Sequence, residues 1–172
     1  PLIMGILNVT PDSFYQKSRV TAVSEAIDLT GNMLADGASI IDIGGQSTRP
    51  GAQAIAANEE MDRIGGVIEA LVKTFPAAFI SVDTYHSEVA KQVVGLGAHI
   101  INDISGLLHP ELAEVVASRG AGYILMHNRG RPKVRLTDAN LYEDVVADVL
   151  SFMDDKLAVL TAAGVSRQQV IV

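Results

Sequence analysis

Six polar residues stand where apolar runs have no packing use for them. Asn8 follows Ile6-Leu7, Asp42 interrupts Ile40–Ile43, Asp83 follows Ile80-Ser81-Val82, Asn102 and Asp103 follow Ile100-Ile101, and His127 follows Leu125-Met126. A carboxylate and an amide at neighbouring strand ends, such as Asp83 and Asn102, can pair with a heterocycle that presents ring N–H and amino donors together. Each taken alone is better explained as a helix or turn cap; taken jointly, at one end of adjacent strands, the site reading is preferred. Asn8, with Thr10-Pro11-Asp12 behind it, reads equally as a ligand-bearing strand end or as a simple turn. Asp42, flanked by isoleucines, is either a site carboxylate or a buried acceptor for backbone N–H groups. His127 is read as structural, because His86, His99 and His109 are scattered and give it no metal-binding companion.

A loop adds a second kind of chemistry. In Asp42-Ile43-Gly44-Gly45-Gln46-Ser47-Thr48-Arg49-Pro50-Gly51 the glycine pair lets backbone pass close to a ligand. Thr48 then offers a hydroxyl and Arg49 a forked cation, which suit phosphate oxygens or an aromatic face. The competing reading is a solvated loop with an idle arginine. Arg129, Arg131, Lys133 and Arg135 are most simply another solvated loop.

These residues need a scaffold, and the apolar pattern supplies one. The runs Leu2–Val9, Ser39–Ile43, Phe79–Val82, His99–Ile104, Tyr123–Met126 and Val170–Val172 lack strict alternation, as strands buried on both faces do. Helical stripes lie between them: Val23, Ala26, Ile27 and Leu34; Met61, Ile64, Ile68, Leu71, Val72 and Phe75; Val146, Val149, Leu150, Met153, Leu157 and Leu160. Shorter stripes start at Val89 and Leu112. Gly37, Gly97, Gly120 and Gly164 each close a helix before a strand. Asn58 before Glu59-Glu60 is expected to cap the helix that follows. Alternating β and α predicts a parallel sheet with right-handed crossovers. Five consecutive strands with polar residues at one end favour a closed (β/α) barrel over an open doubly wound sheet, whose site gathers at one switch point and whose phosphate turn is Gly-rich. No G-x-G-x-x-G or G-x-x-x-x-G-K-[ST] occurs.

Composition bounds the rest. The chain has 172 residues, 48% hydrophobic and 19% charged, which excludes a disordered or coiled-coil chain and suggests one domain over residues 1–172. Thirteen basic against twenty acidic residues argue against a nucleic-acid partner. Without Cys there is neither a disulfide framework nor a thiolate metal site. No apolar run reaches the ~18 residues of a membrane span and no leader opens the chain, so no membrane partner and a cytoplasmic location are expected.

The motifs Asn8-Val9-Thr10-Pro11-Asp12-Ser13-Phe14, Asp42-Ile43-Gly44-Gly45-Gln46-Ser47-Thr48-Arg49-Pro50-Gly51, Ser81-Val82-Asp83-Thr84 and Ile101-Asn102-Asp103-Ile104-Ser105-Gly106, in that order, resemble those of the dihydropteroate synthases, a family of pterin-binding barrels. Met126-His127 also matches. The resemblance implies a TIM-type (β/α)8 barrel. It also implies a transferase that condenses 6-hydroxymethyl-7,8-dihydropterin diphosphate with 4-aminobenzoate, giving dihydropteroate and diphosphate. On the same ground Asn8 falls at the Mg²⁺ ligand position, and Thr48 and Arg49 on the loop that meets diphosphate and aminobenzoate. Asp83 and Asn102 fall on the pterin-contacting pair, with Arg49 and Asp83 as the catalytic residues. The residue types agree with this chemistry, since Mg²⁺ accepts few protein oxygens and a departing diphosphate needs cations rather than a side-chain nucleophile.

Two features depart from the family pattern. Tyr15-Gln16-Lys17-Ser18 replaces an Asp-Gly-Gly stretch, so Gln16 stands where a loop carboxylate is expected. An eight-stranded barrel takes ~250 residues, whereas this sequence provides about six strands. The family's later pterin-binding carboxylate, its lysine and its phosphate-binding Arg/His pair are not in it. An incomplete barrel is therefore expected, with exposed strand edges that favour association, in its simplest form a homodimer. Two other functions compete: a pterin-binding fragment without catalysis, and a methyltetrahydrofolate-type methyltransferase barrel. The Ser-Thr-Arg-Pro-Gly loop points away from the latter.

Overall fold

Strand and helix alternate throughout the computed structural model, which describes residues 1–9, 19–46, 53–130 and 142–172. The order is β1 (Met4–Asn8), α1 (Arg19–Ala35), β2 (Ile40–Gly44), α2 (Ala57–Thr74), β3 (Phe79–Asp83), α3 (Ser87–Gly95), β4 (Ile100–Asp103), α4 (Glu111–Arg119), β5 (Gly122–Leu125), α5 (Val145–Ala162) and β6 (Val170–Ile171). All five strand pairings are parallel, in the spatial order β1-β2-β3-β4-β5-β6. A doubly wound sheet reverses its order at a switch point. This sheet never does, so the barrel progression expected from the sequence is the one observed. Among the described residues β1 and β6 are its two edges, and the barrel is not closed.

The pleat divides each strand between two environments. One face carries Leu7, Ile41, Ile43, Ile80, Val82, Ile101, Tyr123 and Leu125, all buried against helix residues such as Ile64, Ile68, Leu71, Val93, Leu112 and Val116. This helix-covered face is the hydrophobic core. The opposite face, which would line the barrel, is exposed at Ile6 (64%), Phe79 (49%) and Ile171 (51%) and buried at Ile40, Asp42, Ser81 and Ile100 on the middle strands. β2, at the centre of the best-covered region, is buried along all five residues, which is why its sequence shows no polar alternation.

Helix ends follow the sequence with one exception. Gly37, Gly97, Gly120 and Gly164 all take positive φ after their helices. At Gly97 (φ +108°) a Cβ would also stand 2.9 Å from Val72 Cγ1, so conformation and space both demand glycine. Asn58, expected as a cap, lies inside α2 instead, because the chain is already helical at Ala57 and extended Ala56 takes the cap position. The α5 stripe is also less buried than its periodicity predicts. Only Leu160 is fully covered, and Val146 and Leu150 are 64% and 61% exposed; the helix meets the turns after β4 and β5 instead, through Phe152 against His127 and Lys156 Nζ donating to Leu107 O.

Candidate functional site

The strand register builds the site directly. Asn8, Gly44, Asp83 and Asn102 are consecutive register partners across β1, β2, β3 and β4. Being in register, they project to one face of the sheet, the uncovered one, at the C-terminal ends of the strands. Gly44 leaves room in the middle of the row: a Cβ there would lie 3.5 Å from Asn8 Oδ1 and 3.7 Å from Asp83 Oδ2. An amide oxygen and a carboxylate oxygen thus face one shallow space above a bare glycine.

One pleat below, Asp42 is paired in register with Ser81 and with Ile6. It is buried, and both of its oxygens are engaged. Ser81 Oγ donates to Oδ1 at 2.6 Å and Asn102 Nδ2 donates to Oδ2 at 3.0 Å. Of the two readings of Asp42, the buried acceptor is the observed one. Its donors, however, are side chains of two other strands rather than backbone N–H groups.

The pleat separates Asn102 from Asp103. Asp103 turns to the core face, where it receives Ser105 N (2.7 Å), Leu107 N (2.9 Å) and the Tyr123 hydroxyl (2.5 Å). Three donors satisfy this buried carboxylate, and it fixes the turn after β4. Burial first, and the neighbouring Asp103 charge second, push the Tyr123 phenol far above its ordinary value of 10. Gly106 closes the same turn at φ +70°, where a Cβ would meet Phe152 Cζ at 2.7 Å and Met126 O at 2.8 Å. Asn128 Nδ2 donates to Ile104 O at 3.0 Å, tying the turn after β5 to the turn after β4.

Residues 47–52, with Thr48 and Arg49, lie outside the described residues, as do residues 10–18 with Gln16, and residues 131–141 with Arg131, Lys133 and Arg135. The flanks of the first of these segments are described, and they are firmly held. Arg63 Nη1 donates to Gly45 O (2.9 Å) while its other nitrogen pairs with Glu59 (2.5 Å). The Tyr85 hydroxyl donates to buried Gln46 Oε1 at 3.2 Å. Burial raises the Tyr85 pKa; its Gln46 hydrogen bond opposes that, and the charges of Glu60 and Asp83 add to it. On the far side, His86 Nε2 lies 3.2 Å from Ile55 O, and the Thr84 hydroxyl bridges His86 N to buried Glu60 Oε2. Sequence reasoning missed these anchors. The available signal was that Glu60 and Arg63, three residues apart, share one side of α2 with the buried Ile64, so neither belongs to its solvent face.

His127, read as structural from the sequence, is packed beside α5. Its ring packs edge-on to Phe152 (4.8 Å) with Nε2 at 3.6 Å from Asp148 Oδ2. Arg129 is not an idle loop cation: it donates to Asp148 Oδ1 at 2.7 Å and sits 4.6 Å over the Tyr142 ring. Among the described residues no three His, Cys, Asp or Glu side chains converge on a metal-sized space. No helix among them is long and apolar enough to cross a membrane.

Residues 4–172 match a family described as pterin binding enzyme. The chain is 40% identical over 171 residues to a dihydropteroate synthase of Escherichia coli strain K12, an alignment covering 99% of this chain and 60% of that protein. A crystal structure of Xanthomonas albilineans dihydropteroate synthase with 4-aminobenzoic acid superposes with a TM-score of 0.84 at 39% identity, over 99% of this chain and 59% of that one. Burkholderia cenocepacia dihydropteroate synthase complexed with 7,8-dihydropteroate gives a TM-score of 0.85 at 36% identity, over 100% and 57%. This chain spans about 60% of the length of the curated relatives it matches.

Proposed function

Because this chain belongs to the pterin-binding enzyme family, we propose that its strand-end row is the pterin half of a dihydropteroate synthase site. The complete protein condenses 6-hydroxymethyl-7,8-dihydropterin diphosphate with 4-aminobenzoate. The observation that carries this reading is the register-aligned row Asn8–Gly44–Asp83–Asn102 on the open face, with an amide oxygen and a carboxylate converging above Gly44. In the relatives named above, the bound molecules are 4-aminobenzoic acid and 7,8-dihydropteroate, a substrate and the product of this reaction.

The residues have these roles in the proposal. Asp83 accepts hydrogen bonds from the amino and ring N–H donors of the pterin, and Asn102 reads the adjoining edge. The amine of 4-aminobenzoate attacks the exocyclic methylene carbon, a C–N bond forms as the C–O bond to diphosphate breaks, and the amine then releases a proton. Positive charge grows on the pterin-methylene unit during this exchange, and the Asp83 carboxylate at the ring edge offsets it. Thr48 and Arg49, on the loop anchored through Gly45, Gln46 and Ile55, meet the diphosphate and the aminobenzoate. Arg49 is the cation that receives the departing charge.

Asn8 fits a Mg²⁺ ion: it is an exposed, neutral oxygen donor at the rim beside Asp83, suited to a hard cation that shares phosphate oxygens. Such an ion supplies charge withdrawal from the leaving diphosphate. A homodimer and a cytoplasmic setting complete the proposal, the latter supported by a sequence without Cys.

A second reading has its own observation. The open inner wall, with Ile6, Phe79 and Ile171 exposed, favours a pterin-binding unit that does not turn over without further strands. A coupled assay for diphosphate release decides between the two. The complete reading frame is expected to release diphosphate only when both substrates are present, and the 172 residues alone to release none. Absence of release from both overturns the synthase reading.

A further inference from the structure

We propose that Asp42 is a positioning residue that sets which way the Asn102 carboxamide faces its ligand; this rests on the pterin-site reading above. Asp42 is 6% exposed and belongs to the row beneath the site. It joins three adjacent strands, holding Ser81 of β3 through Oδ1 and Asn102 of β4 through Oδ2. A carboxylate only accepts, so of the two ends of the Asn102 amide it selects the NH2 end. The Asn102 oxygen and its second N–H then remain for the ligand, side by side. They complement a ring edge that offers one N–H donor next to one nitrogen acceptor. A carboxamide without such a partner turns about its last torsion and presents either end, because that torsion is broad and roughly two-fold. Ser81 is fully buried and holds the opposite carboxylate oxygen, which keeps Asp42 from turning away from Asn102.

The test is a double-mutant cycle on the protein expressed from its complete reading frame, with 6-hydroxymethyl-7,8-dihydropterin as the calorimetric probe. Asp42→Ala is expected to weaken binding about tenfold, the worth of one hydrogen bond to a charged group. Asn102→Ala should weaken it at least as much. The double variant should bind no worse than Asn102→Ala alone, because Asp42 acts through Asn102. Asp42→Asn satisfies either orientation of Asn102, so its loss should be smaller, about two- to threefold, and should also vanish in the Asn102→Ala background. This second cycle carries the test if Asp42→Ala does not fold. Losses that multiply in either double variant, unchanged affinity in Asp42→Ala, or an equal loss in Asp42→Asn and Asp42→Ala overturn the inference. If the unsubstituted protein does not bind the pterin, the function reading itself fails; if it binds and the Asp42 variants do not behave as expected, only the positioning role fails.

Discussion

Adjacent glycines at the end of β2 should respond to the same substitution in opposite ways. A methyl on Gly44 would meet Asn8 Oδ1 at 3.5 Å, Asp83 Oδ2 at 3.7 Å and Asp83 Cβ at 3.8 Å, which are ordinary contacts. Gly44 is not among the glycines with positive φ, so alanine fits its backbone. Replacing such a glycine reduces the freedom of the unfolded chain and stabilises by about 0.4–1 kcal/mol. Gly44→Ala should therefore leave the melting temperature unchanged or raise it slightly. Its methyl, however, occupies the space into which Asn8 and Asp83 face. It should lower kcat/KM of the complete enzyme at least tenfold, or about 1.4 kcal/mol. A methyl on Gly45 would instead stand 2.8 Å from Ile64 Cγ2 and 3.2 Å from Glu60 Cγ, both on α2. Such overpacking costs about 1–3 kcal/mol. At about 2–4 °C per kcal/mol for a domain of this size, Gly45→Ala should melt several degrees lower. Differential scanning fluorimetry and steady-state kinetics on both variants make the comparison. A Gly44→Ala protein that melts several degrees low, or that keeps wild-type kcat/KM, refutes the placement of the site above Gly44.

Other perturbations have similarly definite outcomes. Tyr123 has its pKa raised by burial and then by Asp103, so its contribution to stability is complete below pH 10 and is lost as pH rises above that value toward the higher folded one. Each pH unit above 10 should cost about 1.4 kcal/mol through this group, and a melting-temperature series from pH 8 to 11 should be less steep for Tyr123→Phe; parallel curves would contradict the assignment. Asn8→Ala should abolish the Mg²⁺-dependent part of diphosphate binding measured by calorimetry, and tight Mg²⁺ binding to the protein without diphosphate would argue against the shared-oxygen role. Arg49→Lys should lower turnover strongly and Arg49→Ala further, since an ammonium does not reproduce the fork of a guanidinium; near-wild-type kcat/KM for Arg49→Ala would make this cation dispensable.

β2 was legible because burial on both faces leaves a plain apolar run. Helix ends were legible where glycine alone tolerates the backbone, as at Gly97, and illegible at Asn58, where nothing local says that Ala56 already takes the extended cap conformation. The sequence indicated that Asn102 and Asp103 matter, but not that they part company. Separation follows from the pleat, which sends neighbours to opposite faces, and only the register identifies Asn102 as the partner of Asp83. Asp42 was undecided for a related reason: its donors lie 39 and 60 residues away, beyond any local pattern. Burial of the α5 stripe was overestimated because periodicity reports which residues would face a neighbour, and not how much of one is there.

In the proposed site Asp83 holds the pterin at a strand end, on the face of the sheet away from the helices. Isothermal titration of the complete protein with 6-hydroxymethyl-7,8-dihydropterin, for the wild-type and Asp83→Asn forms, tests it most directly. Loss of a charged hydrogen-bond acceptor in the site should weaken binding by about 1.5–3 kcal/mol, with the far-ultraviolet circular dichroism spectrum unchanged. Equal affinity in the two forms would mean that Asp83 does not hold the pterin.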